Sequence, residues 1–204
     1  EEENLYGRLE EVLNRLQDMQ TKLTQVTYDL DSANLKPDNF GPMSARTEEI
    51  DQILDKAQAT VREALVDYTR ILQELKINQV KGEKINEVQD HIVKPLGEID
   101  DPAFPKTRDR VGNFRKALDD KNINDFNQQR SGAQKAGKDA KDQLQNLIDR
   151  LRQVTDAMQG LIDLNKLIES AREIEKKERD QRDIMDRLVK VLLNDLFGDE
   201  PKKK

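Results

Sequence analysis

The sequence contains no cysteine and no tryptophan, and aromatic residues make up only 4% of its 204 residues. Without cysteine the chain can form no disulfide and has no thiolate nucleophile. A single histidine, His91, cannot supply a zinc site or the paired Glu-x-x-His motifs of a di-iron bundle. A Gly-x-Ser-x-Gly elbow and a Gly-rich phosphate loop are also missing. We therefore expect no catalytic residues, no cofactor and no metal.

One stretch has a partial likeness to a calcium-binding loop. It begins at Asp120 with oxygen ligands at the first, third and fifth places. The likeness ends at Asp125, where the loop needs glycine, and at Ser131, where it needs glutamate. The stretch is therefore interpreted as a polar turn followed by a helix cap.

The sequence also lacks an excess of positive charge and long apolar runs. The formal net charge is −6 and the pI is near 5.1, which argues against nucleic acid as a ligand because phosphate binding needs a basic face. No run approaches the ~20 apolar residues of a membrane-spanning helix, so we do not expect a membrane partner. No signal peptide is visible, and a heptad that begins at Leu5 is also what a segment of a longer protein would show.

What the sequence does contain is apolar residues in alternating steps of four and three, a spacing that places them on one face of a helix. Such stripes fall at Leu5, Leu9, Val12, Leu16, Met19, Leu23, Val26 and Leu30; at Ile50, Leu54, Ala57, Val61, Ala64, Tyr68, Ile71 and Leu75; and at Ala140, Leu144, Leu147, Leu151, Val154, Met158 and Leu161. Hydrophobic residues make up 35% of the chain and charged residues 37%, enough for stripes and too few for a thick core. The sequence therefore predicts an all-α protein, an elongated antiparallel bundle or set of coiled-coil hairpins with a Pro-kinked middle.

Proline, glycine and capping residues predict where the helices end. The stretch 36–42 contains two prolines and a glycine and separates the first two long helices, and Ser44 is expected to cap the second. Pro95 removes a helical hydrogen bond, so we expect a kink or break there. Asp101 and Pro102 together have the pattern of a helix start, with Asp as the cap.

These signals divide the chain into four segments. The first, 1–94, is a long helical hairpin with a short third helix, and the second, 95–123, is an irregular kinked connector with a short helix. The third, 124–198, is one long helix or a helical hairpin, and 199–204 is a polar tail. Two arrangements follow, one four-helix bundle or two hairpins joined by the middle region.

Small residues recur every three or four positions in the stretch 131–140, at Gly132, Ala133, Ala136, Gly137 and Ala140. One interpretation is that they let a neighbouring helix approach closely. The other is a frayed helix, because glycine costs about 1 kcal/mol relative to alanine.

The heptad phase slips further on, where Leu164 follows Leu161 by three residues instead of four. Such a slip overwinds a coiled coil locally or marks a turn into another helix. We favour a turn or kink near Gly160.

A dense apolar block follows a charged stretch near the C-terminus. Between 173 and 183 only Ile174 is apolar, and oppositely charged residues four apart support a helix in water: Glu173 with Lys177, Glu175 with Arg179, and Glu178 with Arg182. The block that follows contains the candidate partner-binding residues Ile184, Leu188, Val191, Leu192 and Phe197. The favoured interpretation is that the block packs on this chain's own bundle end, because apolar stripes are usually core. The alternatives are a face for a partner and a helix lying on anionic lipid.

Together these features favour a non-enzymatic structural or scaffolding module that acts through helix–helix protein interactions, as a monomer or a homodimer. The alternative is a sensory or regulatory bundle that relays a conformational shift, and a third option is peripheral lipid-surface binding through the C-terminal helix. The heptads resemble those of coiled-coil bundles such as spectrin-like repeats. The chain has no tryptophan and no clear internal repeat, so no family is assigned.

Overall fold

The computed structural model describes residues 2–78, 82–120 and 125–197, without the side chains of 2, 83 and 194–197. Its α-helices are α1 (Glu2–Asp31), α2 (Phe40–Ile77), α3 (Gly82–Val88), α4 (Lys94–Glu98), α5 (Phe104–Leu118) and α6 (Phe126–Phe197). A 3-10 turn (Pro37–Asn39) precedes α2, and π-helical turns (Gln89–Val93 and Ile99–Ala103) flank α4. The described residues contain no strand, and the predicted all-α class is confirmed.

The chain divides into two compact units, Glu1–Gln159 and Gly160–Lys204, here called the bundle unit and the C-terminal unit. The division falls inside α6, which is helical through Gly160, so the turn expected there is absent. The boundaries predicted after 94, 123 and 198 are not tested by this division and stay predictions. The predicted tail, 199–204, lies outside the described residues.

The bundle unit consists of four helical segments: α1, α2, the interrupted segment 82–118, and α6 up to residue 159. Contacts between α1 and α2 show their opposite directions, because Arg8 near the start of α1 pairs with Glu63, while Asp29 near its end pairs with Arg46 at 3.4 Å. The chain turn at 32–39 is short, which makes the two helices antiparallel neighbours.

The remaining segments follow the same antiparallel rule. Lys76 Nζ lies 3.3 Å from Gln89 Oε1 at one end of α2, and Ser44 Oγ lies 2.6 Å from Asp119 Oδ2 at the other. Gln134 near the start of α6 donates to Asp31 at the end of α1, at 2.7 Å. The four segments of this unit therefore pack against each other as a helical bundle.

The core of the bundle is formed by the heptad stripes. All eight residues of the α1 stripe are buried, as are six of the α2 stripe. The α2 stripe ends differently from the prediction, because Leu72 is buried while Ile71 and Leu75 are half-buried. Full burial of each such side chain stabilises the fold by about 1.5–3 kcal/mol, so the stripes are the main source of stability.

Two details of the predicted helix ends are wrong. Ser44 does not cap α2, which begins earlier, at Phe40, because Pro42 is tolerated in the first turn of a helix. Ser44 is instead buried and donates its hydroxyl to Asp119. At the next helix junction the chain does not break at Pro95, which lies in the first turn of α4.

The segment is interrupted at Asp101, whose backbone is extended (φ −146°, ψ 117°) and whose bond to Pro102 is cis, at the place where the sequence predicted a helix start. The π-helical turn Gln89–Val93 explains how the segment stays helical across Pro95. In a regular helix the ring of Pro95 would meet the carbonyl of His91, four residues earlier. His91 lies in the wider turn Gln89–Val93, which relieves that contact.

Close packing, not fraying, is the outcome for the small residues of 131–140. Ala133 and Ala140 are fully buried. A methyl group added at Gly137 would lie 2.8 Å from Cγ2 of Thr27 on α1 and 3.0 Å from Cε2 of Phe114 on α5. Glycine is therefore required at 137 by the approach of α1 and α5 to α6.

Candidate interaction surface on the C-terminal helix

The C-terminal unit is helical to Phe197, although few of its side chains have a core to pack against. The charged stretch 173–183 supports the helix locally. Arg179 Nη2 lies 2.5 Å from Glu175 Oε1, as the spacing of opposite charges predicted. Such an exposed pair adds about 0.3–0.5 kcal/mol.

The large apolar residues of this unit from Leu164 to Leu193 are exposed. Their exposed fractions lie between 39% and 67% for Leu164, Leu167, Ile168, Ile174, Ile184, Met185, Leu188, Val189, Val191, Leu192 and Leu193. By contrast, Leu144 and Leu151, also on α6 but in the bundle unit, are fully buried. The same kind of stripe is therefore core in one part of α6 and surface in the other.

Four of the five candidate partner-binding residues lie on this surface: Ile184, Leu188, Val191 and Leu192. The fifth, Phe197, is the last residue of α6, and its side chain lies outside the described residues. Within the C-terminal unit these four side chains are exposed, and the interpretation that the block packs on the bundle end stays a prediction. An exposed large apolar group costs free energy in water, so a contiguous set of them indicates a surface that something covers.

Sequence reasoning missed the first part of this surface. The phase slip at Leu164 predicts overwinding or a turn, and no exposed surface is predicted at Leu164, Leu167 and Ile168, which are exposed. The signal that could have found them is the phase slip after Leu161. The buried face of α6 ends at Met158 and Ile162, and a step of three to Leu164 would leave that face.

The most strongly engaged carboxylate in the bundle unit is Asp100, whose side chain is 14% exposed. Gln58 Nε2 donates to Asp100 Oδ1 at 2.9 Å, and Arg62 donates to both carboxylate oxygens, from Nε at 3.1 Å and from Nη2 at 3.0 Å. Arg108 in turn donates to Gln58 Oε1 at 3.0 Å. The network joins α2 to the second π-helical turn and to α5.

Burial alone would raise the pKa of Asp100. The hydrogen bonds from Arg62 and Gln58, together with the charge of Arg62, outweigh it and lower the pKa of Asp100 below its ordinary value. The same hydrogen bond and charge raise the pKa of Arg62. The cluster therefore acts as a clamp that holds α2 against the segment around Asp100 and against α5.

Surface grooves on the bundle unit have a mixed lining. One of about 630 Å³ between α1 and α2 is bordered by basic residues, an acidic residue and apolar ones: Arg15, Asp18, Met19, Thr21, Lys22, Ile53 and Lys56. His91 is exposed on the first π-helical turn. Within residues 2–78, 82–120 and 125–197, no three His, Cys, Asp or Glu side chains are grouped so as to hold a metal ion.

No helix in the described part of the chain combines the length and the apolarity of a bilayer span. Comparison with known protein families, with curated proteins and with solved structures gave no match to this chain.

Proposed function

We propose that this protein is a non-enzymatic scaffolding module that pairs with another helix through the exposed apolar face of its C-terminal unit. The observation that carries the proposal is the contrast along α6. Leu144 and Leu151 are fully buried in the bundle unit, whereas Leu188 and Leu192 are 52% and 57% exposed.

The chemistry of the face favours a helical partner. Two neighbouring sets of its apolar residues follow steps of four and three, Ile184, Leu188 and Val191 in one and Met185, Val189 and Leu192 in the other, and a second helix with heptad spacing can cover such a set. Charged residues of both signs are interspersed along the rest of the helix, which suits the flanks of a coiled coil. A lipid surface is a weaker match, because acidic residues such as Asp183 and Asp186 lie among the apolar ones.

The alternative of a relaying bundle has one feature in its favour, the division of the chain at Gln159 and Gly160 within a continuous helix. A relay needs two arrangements of the same element, and the exposed face gives no second arrangement. We therefore place helix pairing first.

The test uses the purified full chain and its variants Leu188→Glu and Leu192→Glu. Val66→Glu is the matched control, because Val66 is 64% exposed and belongs to α2 of the bundle unit, not to the C-terminal unit. Association is measured in two ways, by sedimentation of the chain alone and by fluorescence anisotropy with labelled amphipathic heptad peptides.

We expect each leucine variant to weaken association by about tenfold or more, because a charge replaces an apolar anchor, and the control to leave it unchanged. Circular dichroism checks that each variant keeps its helix content. If neither self-association nor peptide binding is detected, or if all three variants bind equally well, the proposed function is wrong.

A further inference from the structure

The charged middle of the C-terminal unit lies in the same heptad register as its apolar ends. Alternating steps of four and three connect Leu164, Ile168, Ala171, Glu175, Glu178, Arg182, Met185, Val189 and Leu192, here called the C-terminal seam. All of them are exposed. A coiled-coil partner therefore has to accommodate a seam that is apolar at both ends and charged at its centre.

The pattern of the C-terminal seam is complementary to itself when it is reversed. The seam has two kinds of position, one reached by a step of three and the other by a step of four. In an antiparallel coiled coil each layer pairs a position of one kind on one helix with a position of the other kind on the opposite helix. With Glu178 of one copy opposite Arg182 of the other, Ala171 falls opposite Val189, and Ile168 falls opposite Leu192. The central charges then form two symmetric Glu–Arg layers, and the apolar ends cover each other.

Resting on the proposed helix-pairing function, we infer that the partner is a second copy of this chain, bound antiparallel through the C-terminal seam with Glu178 opposite Arg182. Glu175 lies opposite Met185 in this register, and its carboxylate is already paired with Arg179 of its own helix.

Other arrangements of two copies bring like charges together. A parallel pair in register places Glu175, Glu178 and Arg182 each opposite its own copy, three repulsive layers. Sliding the antiparallel pair by one heptad in one direction places Glu175 opposite Glu178. Sliding it in the other direction places Glu178 opposite Val189 and Arg182 opposite Met185, so that both Glu–Arg layers are lost and all the central charges face apolar residues.

The flanks of the antiparallel pair agree with this register. Arg172 falls beside Asp186 of the other copy on one flank, and Ile174 falls beside Leu188 on the other. Residues 160–197 contain nine acidic and eight basic residues, so two copies of this helix carry almost no net repulsion. One unfavourable contact remains, because Arg179 falls near its own copy at the two-fold axis, where Glu175 offsets its charge.

Charge reversal tests the central layers in the full chain. Sedimentation equilibrium of Glu178→Arg and Arg182→Glu should show dimers weakened by about tenfold or more, because each variant creates like-charged layers. The double variant Glu178→Arg/Arg182→Glu should restore the dimer to within about threefold, since the layers are again opposite in charge. In a parallel dimer the double variant restores nothing.

The matched control addresses helix stability. Glu178 and Arg182 are four apart on one helix, so single reversals also weaken the helix itself. Glu173 and Lys177 have the same spacing and lie off the C-terminal seam. Glu173→Lys and Lys177→Glu should lower helix content equally and leave the dimer unchanged.

Engineered disulfides test direction, because the chain has no cysteine of its own. A mixture of Ala171→Cys and Val189→Cys chains should cross-link as the mixed pair under oxidation, and each variant alone should stay uncrosslinked. Cross-linking of Ala171→Cys with itself would mean a parallel pair, which overturns the inference and leaves the proposed function standing. A chain that stays monomeric but binds heptad peptides also overturns the inference alone. A monomer that binds no peptide overturns both.

Discussion

Gly137 is where α6 approaches its neighbours most closely among the described glycines, and replacing it with alanine tests the packing of the bundle. The added methyl group would lie 2.8 Å from Thr27 Cγ2 and 3.0 Å from Phe114 Cε2. Neither neighbour can move freely. Thr27 Oγ1 donates to the carbonyl of Thr24 at 2.8 Å, which holds its methyl group in place, and Phe114 is fully buried.

Two opposing free-energy changes decide the outcome. Alanine in place of glycine favours a helix by about 1 kcal/mol. An extra carbon in a tightly packed core costs about 1–3 kcal/mol. We therefore expect Gly137→Ala to lower the free energy of unfolding of the full chain by up to about 2 kcal/mol, measured by urea denaturation.

Gly132 provides the control on the same helix. It is exposed, and a methyl group added there meets nothing within 4 Å. Gly132→Ala should therefore raise the free energy of unfolding by about 0.5–1 kcal/mol, the helix preference alone. The difference between the two variants isolates the packing cost.

A second background identifies the neighbour responsible. Thr27→Ser removes the methyl group that Gly137→Ala would meet and keeps the hydroxyl that donates to Thr24. The cost of Gly137→Ala should be smaller by about 0.5–1 kcal/mol in that background. If Gly137→Ala stabilises the chain as much as Gly132→Ala does, the close approach of α1 and α6 deduced here is refuted.

Two further predictions concern the Asp100 clamp and the contrast between a buried and an exposed leucine on α6. Asp100→Asn should lower the free energy of unfolding at pH 7 by about 1–3 kcal/mol, because it weakens charge-assisted hydrogen bonds. Because the folded pKa of Asp100 is lowered, this stabilisation is complete above the ordinary Asp pKa of about 3.9 and is lost as the pH falls through the folded pKa, so unfolding curves of the two chains should converge in acid. Leu151→Ala should lower the free energy of unfolding by about 2–5 kcal/mol, because the side chain of Leu151 is fully buried. Leu192→Ala should lower it by less than about 0.5 kcal/mol at concentrations where the chain is monomeric, because the side chain of Leu192 is 57% exposed. Equal losses in the free energy of unfolding for the two variants would contradict the burial of Leu151 and the exposure of Leu192.

The heptad stripes predicted most of the fold, because burial of one face dominates the stability of a long amphipathic helix. The α1 stripe from Leu5 to Leu30 is buried at every position, as predicted. Local signals were less reliable. Ser44 has the chemistry of a cap, but burial against Asp119 and the tolerance of Pro42 in a first turn moved the helix start to Phe40.

Local rules predicted the helix start at Asp101 and Pro102 but not the course of the chain across Pro95, because tertiary packing decides where an irregular turn is tolerated. Pro95 breaks a regular helix, yet Leu96 and Ile99 around it are buried, so the segment gains by staying helical through a π turn. Likewise, the pattern of 131–140 was consistent with fraying or with close packing. Only the positions of Thr27 and Phe114 distinguish the two.

The exposed surface was the hardest feature to predict, for a reason that lies in the heptad itself. A heptad stripe shows that one face of a helix is apolar. It does not show whether the helix that covers this face belongs to the same chain. What separates the two cases here is the content of the stripe. The buried stripe of α6 is apolar from Ala140 to Met158, whereas the C-terminal seam contains Glu175, Glu178 and Arg182 at core positions. A charge at such a position lowers the stability of a helix pair but selects its direction and register. This selection matters most when the two helices are not joined by a short turn, because a short turn already fixes their direction and register.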